Sequence, residues 1–210
     1  VDIKLQGSGE AADQMRVKTA LILCCVALSA LTFNVGAASA KSHACKDAKL
    51  VPTRPEQMRR LSVAVRCLVN RERRRHKLPN LKQNRPLNLA SRWQAHDMLD
   101  HAYFDHRRDG GPEFAERVLR FGYAANASGY SIGENIAWAS SPIATPQSIV
   151  KMWMNSPSHR ENILTRAFRD QGVSAVWSYG NGGGAYANSG GPFVIFVNQF
   201  GRQYGPMRKR

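Results

Sequence analysis

Apolar residues recur at helical spacing in four stretches of the chain and at strand spacing near its end. Met58, Leu61, Val65 and Leu68 lie three or four positions apart, which puts them on one face of a 3.6-residue repeat. The pattern predicts an amphipathic helix that ends near the basic run RERRRHK, Arg71 to Lys77. Thr53 followed by Glu56, with Pro55 in the first turn, reads as its capping box. A second helix is expected from about Asn88, burying Leu89, Trp93 and Met98, after Pro79 has ended the first. Pro112 opens a short helix with Phe114, Val118 and Phe121 inward and Gly122 as its stop.

Thr145 and Pro146 read as N-cap and first position of the next helix, striped by Ile149, Val150 and Trp153 and broken at Pro157. Ser158 and Glu161 then form a capping box for a short helix with His159 in its first turn, which gives Glu161 a structural task. The last third is β. Val173, Ala175, Trp177 and Tyr179 alternate with smaller or more polar residues, and Phe193 to Val197 is a continuous apolar strand. The segment GNGGGAYANSGG between them reads as a flexible hairpin loop, and NQFG ends the second strand before a basic tail, 202–210.

The N-terminus changes the picture from a bare domain to an exported one. From Met15, Arg16 and Lys18 precede an apolar run that closes on Ala38, Ser39 and Ala40, the arrangement of a secretory signal peptide cleaved before Lys41. The run from Ala20 to Phe33 is shorter than the roughly 20 residues of a membrane span. Residues 1–14 are read as an upstream extension that arises from start-site choice. Removal of 15–40 takes Cys24 and Cys25 with it and leaves Cys45 and Cys67. In an exported domain these two are expected to pair, tying the segment 41–56 to the first helix.

Charge adds a class of partner. The chain carries 30 Lys plus Arg against 15 Asp plus Glu, a formal +15. Such a balance favours an anionic cell-envelope polymer or membrane surface. The cations are spread along the chain rather than gathered beside aromatics, so specific nucleic-acid recognition is not expected. The arginines of RERRRHK can grip phosphates, but cations at a helix C-terminus also complement its dipole, and that plainer reading is preferred.

Candidate chemistry rests on Glu134 in GENIAW, His159 in SPSHRENIL and His106 in YFDH. Neutral imidazoles are metal ligands. His96 and His101, five apart, point about 140° from each other on a helix, so they cannot share an ion and are read as surface residues. No HExxH pattern occurs. GYSIG, Gly129 to Gly133, matches a nucleophile elbow with Ser131 as nucleophile, but a polar loop precedes it and no helix follows. Asn126 to Ser128 fits a glycosylation acceptor.

YFDH, GENIAW, WMNSPSHRENIL, the Gly172-Val173 strand and the closing VNQFG together resemble the bacterial branch of the CAP superfamily (cysteine-rich secretory proteins, antigen 5, pathogenesis-related 1), over roughly Arg60 to Gly201. The resemblance implies an α+β fold, a three-layer α/β/α sandwich with a central antiparallel sheet flanked by helices, over 57–201. It also implies a cleft lined by two histidines and two acidic residues. By motif these are His106, His159 and Glu134, with Asn135, Ser156 and Asn162 supporting the cleft. The second acidic position, shortly after Trp153, is filled by Met154, Asn155 and Ser156, none of them a carboxylate. The expectation is a secreted monomeric module that is not an enzyme, with a cleft for a weakly held divalent metal such as zinc, or for a small ligand. Glu134 is the one candidate for a catalytic role. Two alternatives stand beside it: a metal-assisted hydrolase of peptide or phosphodiester bonds, and a carrier of lipid or sterol as in some eukaryotic relatives. Glu134 and the histidines can also serve only to hydrogen-bond one another and the adjoining loops.

Overall fold

The computed structural model describes residues 44–180 and 183–206. The extension 1–14, the expected signal segment 15–40 and the end of the expected basic tail lie outside them. The first helix, α1 (Met58–Arg75), buries Met58, Leu61, Val65 and Leu68 as the spacing predicts, and Ala64 and Val69 beside them. Its start is capped differently. Gln57, not Glu56, turns back, and its Oε1 accepts from the backbone N–H of Thr53 at 2.7 Å and of Arg54 at 3.3 Å. The two-residue strand β1 (Lys82–Gln83) follows.

Helix α2 (Arg85–Asp100) begins three residues earlier than the pattern suggests, because Asn84 is its N-cap and accepts from Leu87 N–H at 3.1 Å. Its buried face is also rotated from the expected one. Leu87, Ala90, Ser91, Gln94, Ala95 and Met98 face inward, whereas Leu89 is 39% exposed and Trp93 is half-buried. Apolarity misleads here because the buried polar residues are paired: Ser91 donates to Gly172 O at 2.9 Å and Gln94 to Asp105 O at 2.8 Å. Helix α3 (Phe114–Arg120) starts two residues beyond Pro112 and buries Arg117 beside Val118. Gly122, at φ +87°, ends it as expected.

Strand β2 (Ala127–Ser140) is the main element that the hydrophobic pattern does not reveal. It takes in the whole of GYSIG, so Ser131 sits in a strand, its hydroxyl 2.9 Å from the Tyr204 hydroxyl, and no nucleophile elbow exists. Helix α4 (Pro146–Asn155) is capped by Thr145 Oγ1, which accepts from Ser148 N–H at 3.1 Å. Helix α5 (Pro157–Leu164) follows at once, with Ser156 at the N-cap. Ser158 is therefore inside the helix and forms no capping box with Glu161, whose side chain is exposed.

Strands β3 (Asp170–Ser178) and β4 (Phe193–Pro206) complete a sheet ordered β1-β3-β4-β2. β4 runs antiparallel to both β2 and β3, and only the short β1 lies parallel to its neighbour. Residues 202–206 belong to β4 and pair with the start of β2, so the expected tail is strand to Pro206. The loop before β4 is not loose throughout: Tyr186 is buried, stacks on Phe193 at 4.7 Å and donates to Tyr103 O at 2.7 Å.

Strand alternation sends side chains to two cores. Ala137, Ala139, Val173, Ala175, Val194 and Phe196 meet α1, α4 and α5 on one face. Ile136, Val176, Ile195 and Val197 meet α2 on the other, and Ile132 packs with α2 and α3. This is the three-layer α/β/α sandwich. Gly172 permits the close approach of α2 to β3, since a Cβ there would stand 2.1 Å from the Leu87 carbonyl carbon. Cys45 and Cys67 form the expected disulfide, with Cα atoms 5.7 Å apart.

Candidate functional site

The site is built on β2, whose outer edge no other strand pairs among the described residues. Side chains from α4 and α5 cover that edge instead: Trp153 Nε1 donates to Ile136 O at 3.1 Å and Asn162 Nδ2 to Glu134 O at 3.2 Å. Glu134 points to the α2/α3 face and Asn135 to the opposite one, as neighbours in a strand must.

The Glu134 carboxylate, 1% exposed, is saturated. Arg117 Nη2 donates to Oε1 at 3.0 Å and to Oε2 at 2.8 Å. Gln199, its cross-strand partner on β4, donates to Oε2 at 2.9 Å, and His106 Nδ1 donates to Oε1 at 2.9 Å. Arg117 is itself buried, between the rings of Trp93 and Phe114 at 5.8 and 5.5 Å. Burial works to raise the Glu134 pKa, but the His106 hydrogen bond and the Arg117 charge outweigh it and hold the carboxyl below its usual range.

His106 lies in the loop after α2, and the loop is fastened at several points. Tyr103 donates to Asp97 Oδ2 at 2.7 Å, Gln94 to Asp105 O at 2.8 Å, and Arg117 Nη1 to His106 O at 3.1 Å. The ring is half exposed. A carboxylate only accepts, so the bond to Glu134 puts a ring proton on Nδ1, and in the neutral ring Nε2 keeps its lone pair. That bond also raises the His106 pKa, against the opposing effect of desolvation.

His159 is held from the other face. Asn135 Nδ2 donates to His159 O at 2.9 Å, and Asn162 Nδ2 bonds Asn135 Oδ1 at 2.9 Å. Ser156, free of the usual N-cap bond, places its Oγ 2.8 Å from His159 Nδ1. A hydroxyl can donate or accept, so the tautomer in which Ser156 accepts leaves Nε2 bare here too. Desolvation and the positive charge of His106 both lower the His159 pKa. The two imidazoles are thus electrostatically coupled, with their pKa values pushed apart. Among the described residues no group of three or more His, Cys, Asp or Glu is arranged to hold a metal. Each ring has its Nδ1 hydrogen-bonded, His106 to Glu134 and His159 to Ser156, so Nε2 is the atom of each neutral ring left for a ligand.

The sequence profile described as "CAP: Cysteine-rich secretory protein family" matches residues 67–200. The chain belongs to the CAP family. Among its relatives, the Bacillus subtilis (strain 168) protein YkwD, described as uncharacterized, is 36% identical over 111 residues, 53% of this chain and 40% of that protein. The CAP fold recurs in an extracellular SCP-domain protein of Bacillus anthracis at 25% identity and a TM-score of 0.53, covering 72% of this chain and 45% of that one. It recurs also in an outer surface protein of Borrelia burgdorferi, at 17% identity and a TM-score of 0.52, covering 66% of this chain and 90% of that one. The chain spans less than half the length of YkwD and of the Bacillus anthracis protein.

In this CAP domain Glu134, His106, Asn135, Ser156, His159 and Asn162 all join one network, whereas His96 lies on α2 and His101, the C-cap of that helix, bonds Asp97 O instead. Two members escaped the sequence reading. Gln199 lies in VNQFG directly across the sheet from Glu134. Arg117 precedes Val118 on the inward side of a short helix, a place where a cation needs a buried anion. Glu134 was the carboxylate to pair it with.

Proposed function

We propose that this CAP domain works outside the cytoplasm as a binding module, not as an enzyme, and that its cleft takes a divalent cation on Nε2 of His106 and of His159. The observation that carries the reading is the 2.9 Å hydrogen bond from His106 Nδ1 to buried Glu134. It fixes the tautomer and orients the ring as carboxylates do behind zinc-binding histidines. Bound there, the ion supplies Lewis acidity and a water of lowered pKa. With two protein ligands, it exchanges readily.

Glu134 is poorly placed to act as a catalytic base. Both Glu134 oxygens are committed, and a carboxyl held below its usual range is a weak proton acceptor at neutral pH. A lipid or sterol carrier calls for an apolar pocket, whereas the depressions along α4 mix Leu68, Met152 and Met154 with charged Arg71, Glu72 and Lys151. Export is supported by the signal pattern of 15–40, by a disulfide suited to an oxidising compartment, and by the extracellular description of the Bacillus anthracis relative. The net charge of +15 suits an anionic envelope surface.

Calorimetric titration with Zn²⁺ tests the cleft. Wild type is expected to bind reversibly and the double variant His106→Ala/His159→Ala not to bind; equal heats from both remove the cleft from the account. Chelator-sensitive turnover of any peptide or phosphodiester in a broad panel, lost in Glu134→Ala, would replace the binding module with a hydrolase.

A further inference from the structure

A second basic feature lies away from the histidines, where the N-terminal segment, α1 and α4 leave two adjoining depressions. One, of about 320 Å³, is lined by Arg71, Glu72, Arg75 and Lys151 over an apolar floor that includes Leu68 and Met154. The other, of about 490 Å³, runs past Cys45, Asp47 and Lys49. They share Arg71 and Gln147, so they form one continuous groove. Both volumes lie in the ~300–1,000 Å³ span of small-molecule sites.

Positive charge is in surplus there. Lys49, Arg71, Arg75 and Lys151 face Asp47 and Glu72, four cations less two anions, or +2. Asp47 is already neutralised from outside the groove by Arg60, which donates to its two oxygens at 2.6 and 3.0 Å. Glu72 Oε1 accepts from Arg75 Nη1 at 2.7 Å, while Arg71 Nε stands 3.9 Å from the same oxygen, beyond hydrogen-bond reach. Arg71 Nε is buried and without an acceptor among the described residues. A buried donor without an acceptor is unfavourable, and the two carboxylates of the groove are already engaged, Asp47 by Arg60 and Glu72 by Arg75. An oxyanion in the groove brings the missing negative charge.

We propose that this groove binds a phosphate group, with the guanidinium forks of Arg71 and Arg75 and the ammonium of Lys151 as its three cations. Forked guanidiniums match the paired oxygens of a phosphate, and the ammonium adds a point charge that needs no fixed geometry. The apolar floor strengthens the attraction by lowering the local dielectric. The surplus of two charges suits a phosphate monoester or two successive phosphodiesters of a linear polymer. None of the groove residues touches Glu134, His106 or His159, so the inference stands apart from the metal reading.

The test is calorimetry on the full chain at low salt, with inorganic phosphate, a glycerol phosphate oligomer and acetate as ligands. Arg71→Gln/Lys151→Gln is compared with Arg92→Gln/Arg120→Gln, which removes the same charge from exposed positions on α2 and α3. Wild type and the control pair are expected to bind phosphate alike, and the groove pair at least about tenfold more weakly, a change of ~1.4 kcal/mol. Tighter binding of the oligomer than of the free ion identifies a polymer as the source, and the reverse order identifies a free phosphate. Lys151→Gln alone serves if the pair fails to fold, and unchanged affinity in it overturns the proposal. So do an absence of heat with either phosphate, an equal loss in the control pair, or acetate bound as well as phosphate.

Discussion

Replacing Arg117 by methionine keeps most of the side-chain volume and removes the guanidinium that lies against Glu134. The carboxylate is 1% exposed, so water cannot take over. Three hydrogen bonds go with the guanidinium: two to Glu134, at 3.0 and 2.8 Å, and one to His106 O at 3.1 Å. Gln199 and His106 stay behind, which leaves one carboxylate half-solvated by protein. Breaking a buried ion pair in this way costs about 3–5 kcal/mol. For a domain of this size each kcal/mol lowers Tm by about 2–4 °C, so the variant is expected to melt roughly 6–20 °C below wild type by calorimetry or circular dichroism. The double variant Arg117→Met/Glu134→Gln removes the orphan charge as well and is expected to recover part of the loss. A single variant within about 1 kcal/mol of wild type, or a double variant weaker than the sum of the singles, refutes the claim that this pair anchors the His106 loop.

Glu134→Gln is expected to lower the His106 pKa, because the lost hydrogen bond is the largest influence raising it. Titration of the histidine Cε1–H signals by NMR reads this directly, and an unmoved midpoint contradicts the assigned contact. In wild type the raised His106 pKa adds stability that is complete below the ordinary histidine pKa and fades as pH rises through the folded value. The lowered His159 and Glu134 pKa values act in the opposite sense, adding stability above their ordinary ranges that is lost as pH falls through the folded ones. Melting followed from mildly alkaline to acid pH should therefore show a steeper acid-side fall in wild type than in Glu134→Gln. Cys45→Ser/Cys67→Ser opens a closure of 22 residues and is expected to cost about 3 kcal/mol in urea melts, with no loss in wild type on reduction counting against it. Gly172→Ala puts a Cβ into the α2 backbone at 2.1 Å and is expected to cost about 3 kcal/mol or more; a wild-type Tm would show that α2 can move away.

Much of the fold was legible because helix periodicity survives wherever a helix lies across the sheet, as in α1 and α4. It failed where buried residues are polar and paired. On α2, Ser91 and Gln94 occupy inward positions that a hydrophobicity reading gives to Leu89 and Trp93. On β2, the glycines and serines of ASGYSIG look like a loop, because what makes them a strand is thirteen residues of pairing with a segment some seventy positions later. Arg73 is a further case. The basic run groups it with its neighbours as a dipole-complementing surface cation, yet it is fully buried, and burial lowers its pKa to about 10. Its guanidinium donates to the carbonyls of Pro79, Ile163, Thr165 and Phe168, and so holds the end of the helix that carries His159. Nothing local marks it out from Arg74 or Arg75.

The motif GEN is where sequence and site coincide most closely, and strand geometry explains why. Consecutive side chains of a strand leave opposite faces, so Glu134 and Asn135 reach two different layers from one point on the sheet edge. Glu134 takes hold of His106 and Arg117 from the α2/α3 side, and Asn135 takes hold of His159 O and Asn162 from the α5 side. Gly133 completes the junction, because a Cβ there would stand 2.6 Å from Asn162 Oδ1 and displace the side chain that links Asn135 and Glu134 O to α5. The two histidines are thereby tied to one sheet edge from opposite faces. A one-residue slip of β2 against β4 would exchange the faces, bury the amide where the carboxylate belongs, and release both rings at once. The register Glu134↔Gln199 is therefore as much a determinant of the cleft as either imidazole.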